Sequence, residues 1–164
     1  MFDWKKPTTQ MLGRWQPWHD GHTELFKRAY AETGQVAIMI RNVAGIVGED
    51  AGAGRTVTQD DNPFDISTVT KNIIKELKEH GYEHEQHYII MLVPNIVDIS
   101  YGRGVGYTFT QHDLGKEVHS ISATKIRDQM RVIRMKRLLA KEKDTLKSMK
   151  GEKAGTGINK HRYR

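Results

Sequence analysis

The sequence predicts an α/β fold, a mostly parallel sheet with helices on both faces. Three observations carry this expectation. Apolar runs of strand length alternate with amphipathic helical stretches. The two longest runs, residues 36–40 and Tyr88–Val93, are almost unbroken in apolar residues, as in strands buried on both sides. A strand–helix–strand order also imposes right-handed crossovers and parallel pairing. Such a Rossmann-like sheet binds ligands at the carboxyl ends of its strands. Chemistry is therefore expected just after Met11, Ile40 and Val93.

The elements follow in order. Residues 8–13 read as a first strand entering a turn. Residues 21–33 read as a helix, with Leu25, Phe26, Ala29 and Tyr30 on one face and Gly34 placed to stop it. Residues 35–42 form the second strand. Residues 43–62 are rich in Gly, Asp and Thr without periodicity, and are expected to form a loop of the length that serves as a functional lid. Asp65 or Ser67 can cap a second helix running to Glu79, with Ile66, Val69, Ile73, Ile74 and Leu77 as its buried stripe and Gly81 beyond its end. Tyr88–Val93 is the third strand, closed by Pro94 and Asn95. Residues 96–120 hold four glycines and a short strand at 105–110. A last helix starts after Ser122 and reaches Met149, with Ile126, Met130 and Ile133 pointing inward. Residues 7–149 are read as one domain and 150–164 as a basic, disordered tail. The sequence has no internal repeat.

With 164 residues the chain can bury a hydrophobic core unaided. It has no cysteine, which excludes a disulfide scaffold, a cysteine nucleophile and a thiolate metal site. Residues 1–7 lack the apolar segment of a signal peptide, and no apolar run approaches membrane-spanning length, so a cytoplasmic protein without membrane contact is expected. Charge is uneven. Residues 125–164 carry 14 Lys and Arg against 4 Asp and Glu, whereas residues 1–124 carry 12 against 16. A basic third attracts polyphosphate or nucleic acid. A nucleic-acid-binding module run by this helix is therefore the alternative from another class, although it gives no account of His19, Gly21 and His22 and has no recognisable binding motif.

Two segments carry chemistry. Gly13-Arg14-Trp15-Gln16-Pro17-Trp18-His19-Asp20-Gly21-His22 lies between the first strand and the first helix. Gly21 permits close backbone approach to a ligand. A helix start offers amide donors and a positive dipole end, hence a phosphate site. His19 and His22, three apart, can face one anion. The pair lacks a third ligand at metal spacing, so phosphate is preferred and no protein metal site is assigned. The second segment, Ile121-Ser122-Ala123-Thr124-Lys125-Ile126-Arg127, places Ser122 as a helix cap with cations in the first turn. Those cations oppose the helix dipole, which favours an anion between them.

These residues resemble the nucleotidyltransferase superfamily with the His-x-Gly-His signature. Residues 13–22 are similar to the Gly-Arg-Phe-Gln-Pro-Phe-His-x-Gly-His of archaeal-type nicotinamide-mononucleotide adenylyltransferases. Asn62-Pro63-Phe64 resembles their Asn-Pro-Phe, and Val93-Pro94-Asn95-Ile96 their Val-Pro-Asp-Ile. Ser122, Thr124 and Arg127 match the Ser-x-Thr-x-x-Arg shared across the superfamily. The wording around Ser122 is close to the cytidylyltransferase version. The chain departs from the adenylyltransferases where they place a fourth strand with a Ser-Gly-Asn-type turn; here the Gly-rich residues 101–119 fill the interval.

The resemblance implies transfer of a nucleoside monophosphate onto a phosphate-bearing small-molecule acceptor, with AMP from ATP favoured and nicotinamide mononucleotide as acceptor; the alternative is a cytidylyltransferase using CTP and a phosphorylated alcohol. An acceptor oxygen attacks the α-phosphorus and pyrophosphate leaves, with Mg²⁺ carried by the nucleoside triphosphate. His19, His22 and Arg127 are implied as catalytic. Gly13, Arg14, Gln16, Gly21, Ser122, Thr124 and Lys125 are implied as nucleotide-binding. Phe64, Asn95, Tyr101 and Arg103 are acceptor-pocket candidates. Trp15 and Trp18 read as packing residues. A homo-oligomer is compatible with this reading.

Overall fold

The computed structural model describes the backbone of residues 1–43, 48–50, 55–57, 62–104, 106–119 and 123–162, and side chains of 1–43, 62–104, 106–118 and 125–151. In chain order its elements are β1 (Thr9–Gly13), α1 (Asp20–Thr33), β2 (Val36–Arg41), β3 (Gly48–Asp50), β4 (Arg55–Val57), α2 (Ile66–Glu79), β5 (Tyr88–Val93), α3 (Lys116–His119) and α4 (Ala123–Arg162). The chain divides into two compact units, Met1–Arg127 and Asp128–Arg164.

The first unit has the predicted α/β, Rossmann-like character. Its sheet is parallel with strand order β1-β2-β5. Gly13 lies beside Ile40, and Arg41 beside Val93, so the three strands end at one level. Alternate residues of β2, namely Val36, Ile38 and Ile40, are fully buried. They pack with Met11, with Tyr88, with Phe26 and Ala29 of α1, and with Val69, Ile73 and Leu77 of α2. Both helices therefore cover the Val36 face, as two right-handed crossovers in one direction require. At the amino-terminal edge of the sheet Phe26, Tyr30, Tyr82 and Tyr88 meet edge to face or stacked at 4.9–6.0 Å.

Helix ends follow their local chemistry. Gly34 closes α1 in the left-handed region at φ 81°, donating to Tyr30 C=O at 2.7 Å. Of the two candidate caps for α2, Asp65 serves, its carboxylate accepting from Thr68 N–H at 2.8 Å. That bond holds the carboxyl below its ordinary pKa. The N-terminal residues join the first unit. The buried Gln35 side chain donates to Asp3 C=O and Thr8 Oγ1, each at 2.7 Å, and accepts from Asp3 N–H.

Four expectations are corrected. Within 43–62, read as loop throughout, β3 and β4 pair antiparallel; three-residue strands are too short to show a period of two. The strand expected at 105–110 is absent from 106–110; Val105 lies outside the described residues. Gly106 sits at φ 79°, and Tyr107 and Phe109 are exposed, so no face there is buried. The last helix passes Met149 and runs to Arg162. No proline interrupts it, and each glycine costs only about 1 kcal/mol. Met130 and Ile133, expected inward, are about half exposed, because the second unit is one helix with no other element in it to bury a face. Among the described residues no helix is long and apolar enough to cross a membrane.

Candidate active site

The β1–α1 turn is held by its own aromatic residues. Trp15 takes φ 55°, a left-handed conformation, and its indole N–H donates to Met39 C=O at 3.1 Å. Gly13 makes room for it, since a Cβ there would stand 2.8 Å from the indole. Trp18 packs 4.9 Å from Trp15 and donates to Thr23 Oγ1 at 2.9 Å. Both indoles are buried, in keeping with the packing role read from the sequence.

This frame fixes the histidines. His19 is the N-cap of α1, and its Nδ1 accepts from Gly21 N–H at 3.0 Å. His22 reaches back, and its Nδ1 accepts from His19 N–H at 3.2 Å. The two rings stack with centroids 3.7 Å apart and planes 18° from parallel. The edge of Trp15 closes on His22 at 4.8 Å. Because each Nδ1 is an acceptor, the neutral form of each ring carries its proton on Nε2. Burial lowers both pKa values. His22 falls to about 3, through desolvation first and the neighbouring His19 second. His19 is lowered by desolvation, with Asp20 opposing. Both rings are therefore neutral Nε2–H donors at pH 7. Gly21 is required by this arrangement: a Cβ there would stand 2.8 Å from His19 Cε1 and 3.0 Å from its Nδ1.

Beside the pair lies a cleft of about 280 Å³, whose walls include Gly13, Arg14, Gln16, His22 and Arg127. It is close to the lower bound of small-molecule pockets, roughly 300 Å³. Five sequence-predicted residues therefore meet in one place. Arg127 is buried and donates from Nη1 to Gln16 C=O at 2.7 Å, joining the start of α4 to the turn. Arg14 donates to Asn62 Oδ1 at 3.3 Å. The buried Gln16 side chain makes a two-way bridge: Nε2 donates to Phe64 C=O and Oε1 accepts from Phe64 N–H, both at 2.9 Å.

The remaining candidates are placed differently. Ser122 and the side chain of Thr124 lie outside the described residues, and Lys125 is exposed. Phe64 and Asn95 are half-buried, and Asn95 Oδ1 accepts from Arg41 at 2.7 Å. Tyr101 and Arg103 are exposed, with Tyr101 packing against Phe109 at 5.4 Å. Phe64, Asn95, Tyr101 and Arg103 are not in the cleft wall. Sequence reasoning passed over Arg41 and gave Asn62 no role of its own. Arg41, a cation closing the apolar run of β2 at the ligand edge, carried a signal. Among the described residues no group of three His, Asp or Glu side chains is disposed to hold a metal ion.

No known family model matches the chain. The chain is similar to a nicotinamide-nucleotide adenylyltransferase of Methanococcus aeolicus, 30% identical over 91 residues. The match takes in 56% of this chain and 46% of that protein, so the chain spans about half the length of the curated relative it matches.

Proposed function

We propose that the chain is a nucleotidyltransferase that moves AMP from MgATP onto a phosphate-bearing small molecule, with nicotinamide mononucleotide the first acceptor to test. The observation that carries this reading is the stacked histidine pair, whose Nδ1 atoms are occupied by main-chain donors and whose Nε2–H groups are left for substrate. The general class, nucleotidyl transfer, is supported by the similarity to the Methanococcus enzyme; the adenylyl group and the acceptor are the finer proposal.

In this reaction an acceptor phosphate oxygen attacks the α-phosphorus in line. One P–O bond forms, the bond to the β-phosphate oxygen breaks, and pyrophosphate departs. The protein supplies position and charge stabilisation. His19 and His22 donate to α-phosphate oxygens. Neutral donors fixed in advance need no reorganisation as negative charge gathers there, which is the condition for transition-state stabilisation. Arg127 faces the β- and γ-phosphates, with Thr124 and Lys125 before it in the first turn of α4, and Ser122 is assigned to the same nucleotide. Arg14 serves the triphosphate or the acceptor. Mg²⁺ belongs to the nucleotide, where it offsets phosphate charge. The setting proposed for this chemistry is the cytoplasm.

A matrix of ATP and CTP against phosphorylated acceptors, including nicotinamide mononucleotide, read as released pyrophosphate, tests the proposal. Release with ATP alone supports adenylyl transfer. Release with CTP alone moves the assignment to cytidylyl transfer. No release with any pair, together with tight, salt-sensitive binding to polynucleotide, would replace it with the nucleic-acid reading.

A further inference from the structure

Resting on that reading, we infer that Gln16 is a positioning residue for the acceptor side of the site rather than a ligand of the nucleotide. Its side chain is 3% exposed, and both ends of its amide are engaged by one residue, Phe64, 48 positions away. A donor and an acceptor matched at 2.9 Å to a single backbone unit reproduce the pairing of a sheet ladder. They fix both the distance and the rotation of the segment they hold. That segment, Asn62-Pro63-Phe64, leads directly into α2 through its cap, Asp65. Arg14 touches it a second time at Asn62, whose side chain is also buried. Gln16 and Arg14 thus bind the signature turn to the segment that carries Phe64, an acceptor candidate, and leads into α2.

The main chain of Gln16 does something different. Its C=O accepts from Arg127, the cation assigned to the nucleotide. One residue therefore separates its contacts by chemistry: its backbone serves the nucleotide side, and its side chain serves the Phe64 side. Removing the amide while keeping the backbone should loosen only the latter. A buried hydrogen-bonding group left without its partner also carries a desolvation cost, so the freed Phe64 backbone would move to find water.

The test uses the full chain with Gln16→Met, which keeps the side-chain length without either hydrogen bond, and Gln16→Glu, which retains the acceptor for Phe64 N–H and loses the donor. With MgATP and nicotinamide mononucleotide, Gln16→Met should raise KM for the acceptor at least tenfold while KM for ATP stays within twofold and circular dichroism still shows the folded protein. Independently of turnover, hydrogen exchange at Phe64 N–H should speed up at least tenfold in Gln16→Met and less in Gln16→Glu, with the amides of β2 unchanged. An ATP KM that rises as much as the acceptor KM would make Gln16 a nucleotide ligand and overturn the inference. So would unchanged exchange at Phe64 in Gln16→Met. If the wild type releases no pyrophosphate from this pair, the proposed reaction fails for that acceptor, and the exchange measurement still decides whether Gln16 holds the segment.

Discussion

Lowering the pH should destabilise this protein through His22, and the size of the effect follows from its burial. The ring is driven from 6.5 to about 3, mainly by desolvation. In the unfolded chain the same ring returns to 6.5. The folded pKa is the lower one, so protons bind preferentially to the unfolded state. The stabilising contribution is therefore complete above pH 6.5 and is lost as pH falls from 6.5 towards 3. At pH 5 the unfolded ring is almost fully charged while the folded one is almost neutral, and the linkage integral from pH 7 comes to about 2 kcal/mol. His19 is shifted in the same direction. Asp65, held low by its bond to Thr68, loses its contribution as pH falls from the ordinary carboxylate value through its lowered one, below the interval from pH 7 to pH 5. Urea unfolding at pH 7 and pH 5, for the wild type and for His22→Gln, isolates the term. The wild type should lose about 2 kcal/mol more than the variant over this interval. Equal losses in the two proteins would mean that His22 titrates normally in the fold, and the neutral-donor argument would fail with it.

The histidines should also separate folding from turnover. His22→Ala and His19→Ala should each lower kcat by about two decades or more, the scale for one preorganised donor, with circular dichroism unchanged; near-normal kcat in both would remove the phosphate-site assignment. Gly21→Ala should drive the His19 ring off its cap, because the new Cβ would stand 2.8 Å from Cε1. It should cost about 1 kcal/mol of stability, as a lost cap does, and lower turnover as His19→Ala does; wild-type turnover would refute the need for glycine. Truncation after Met149 should leave turnover intact, since residues 151–164 lack core-forming side chains; loss of turnover in a folded truncated protein would assign the end of α4 a part in the reaction.

What could be read from the sequence was local. The strands, the alternating helices, the stop at Gly34 and the stripe of α2 each announce themselves within a few residues. The neighbourhood of the histidines was equally legible, because a Gly beside a His at a helix start has few other uses. The aromatic packing that holds the rings was not. It depends on Trp15 entering the left-handed region and on its indole reaching Met39, 24 residues away. No spacing rule connects those positions. The bridge from Gln16 to Phe64 spans 48 residues and pairs a side chain with a backbone unit, which leaves no pattern in composition or periodicity. Residues 43–62 and 105–110 were misread for opposite reasons. The first holds strands too short to alternate. The second, from Tyr107 to Phe109, alternates as a strand does, yet both rings are exposed.

Histidine is an unusual choice for a helix cap, where Ser, Thr, Asp and Asn are preferred, and the proposed chemistry explains the choice. A capping Asp would place a carboxylate where the proposed reaction puts an anionic substrate. A capping Ser would spend its one oxygen on the helix and extend no further. An imidazole has two nitrogens at opposite sides of a rigid ring. One is spent on the backbone, and that same bond dictates which nitrogen keeps the proton and where it points. His22 repeats the device from the third helical position, taking the main-chain donor at His19. Stacked at 3.7 Å, His19 disfavours a positive charge on His22, which adds to burial in keeping that ring neutral. In the proposed reaction, helix capping and substrate donation are one structural act. The bonds that begin α1 also aim the donors, and a substitution that removes a ring therefore removes both.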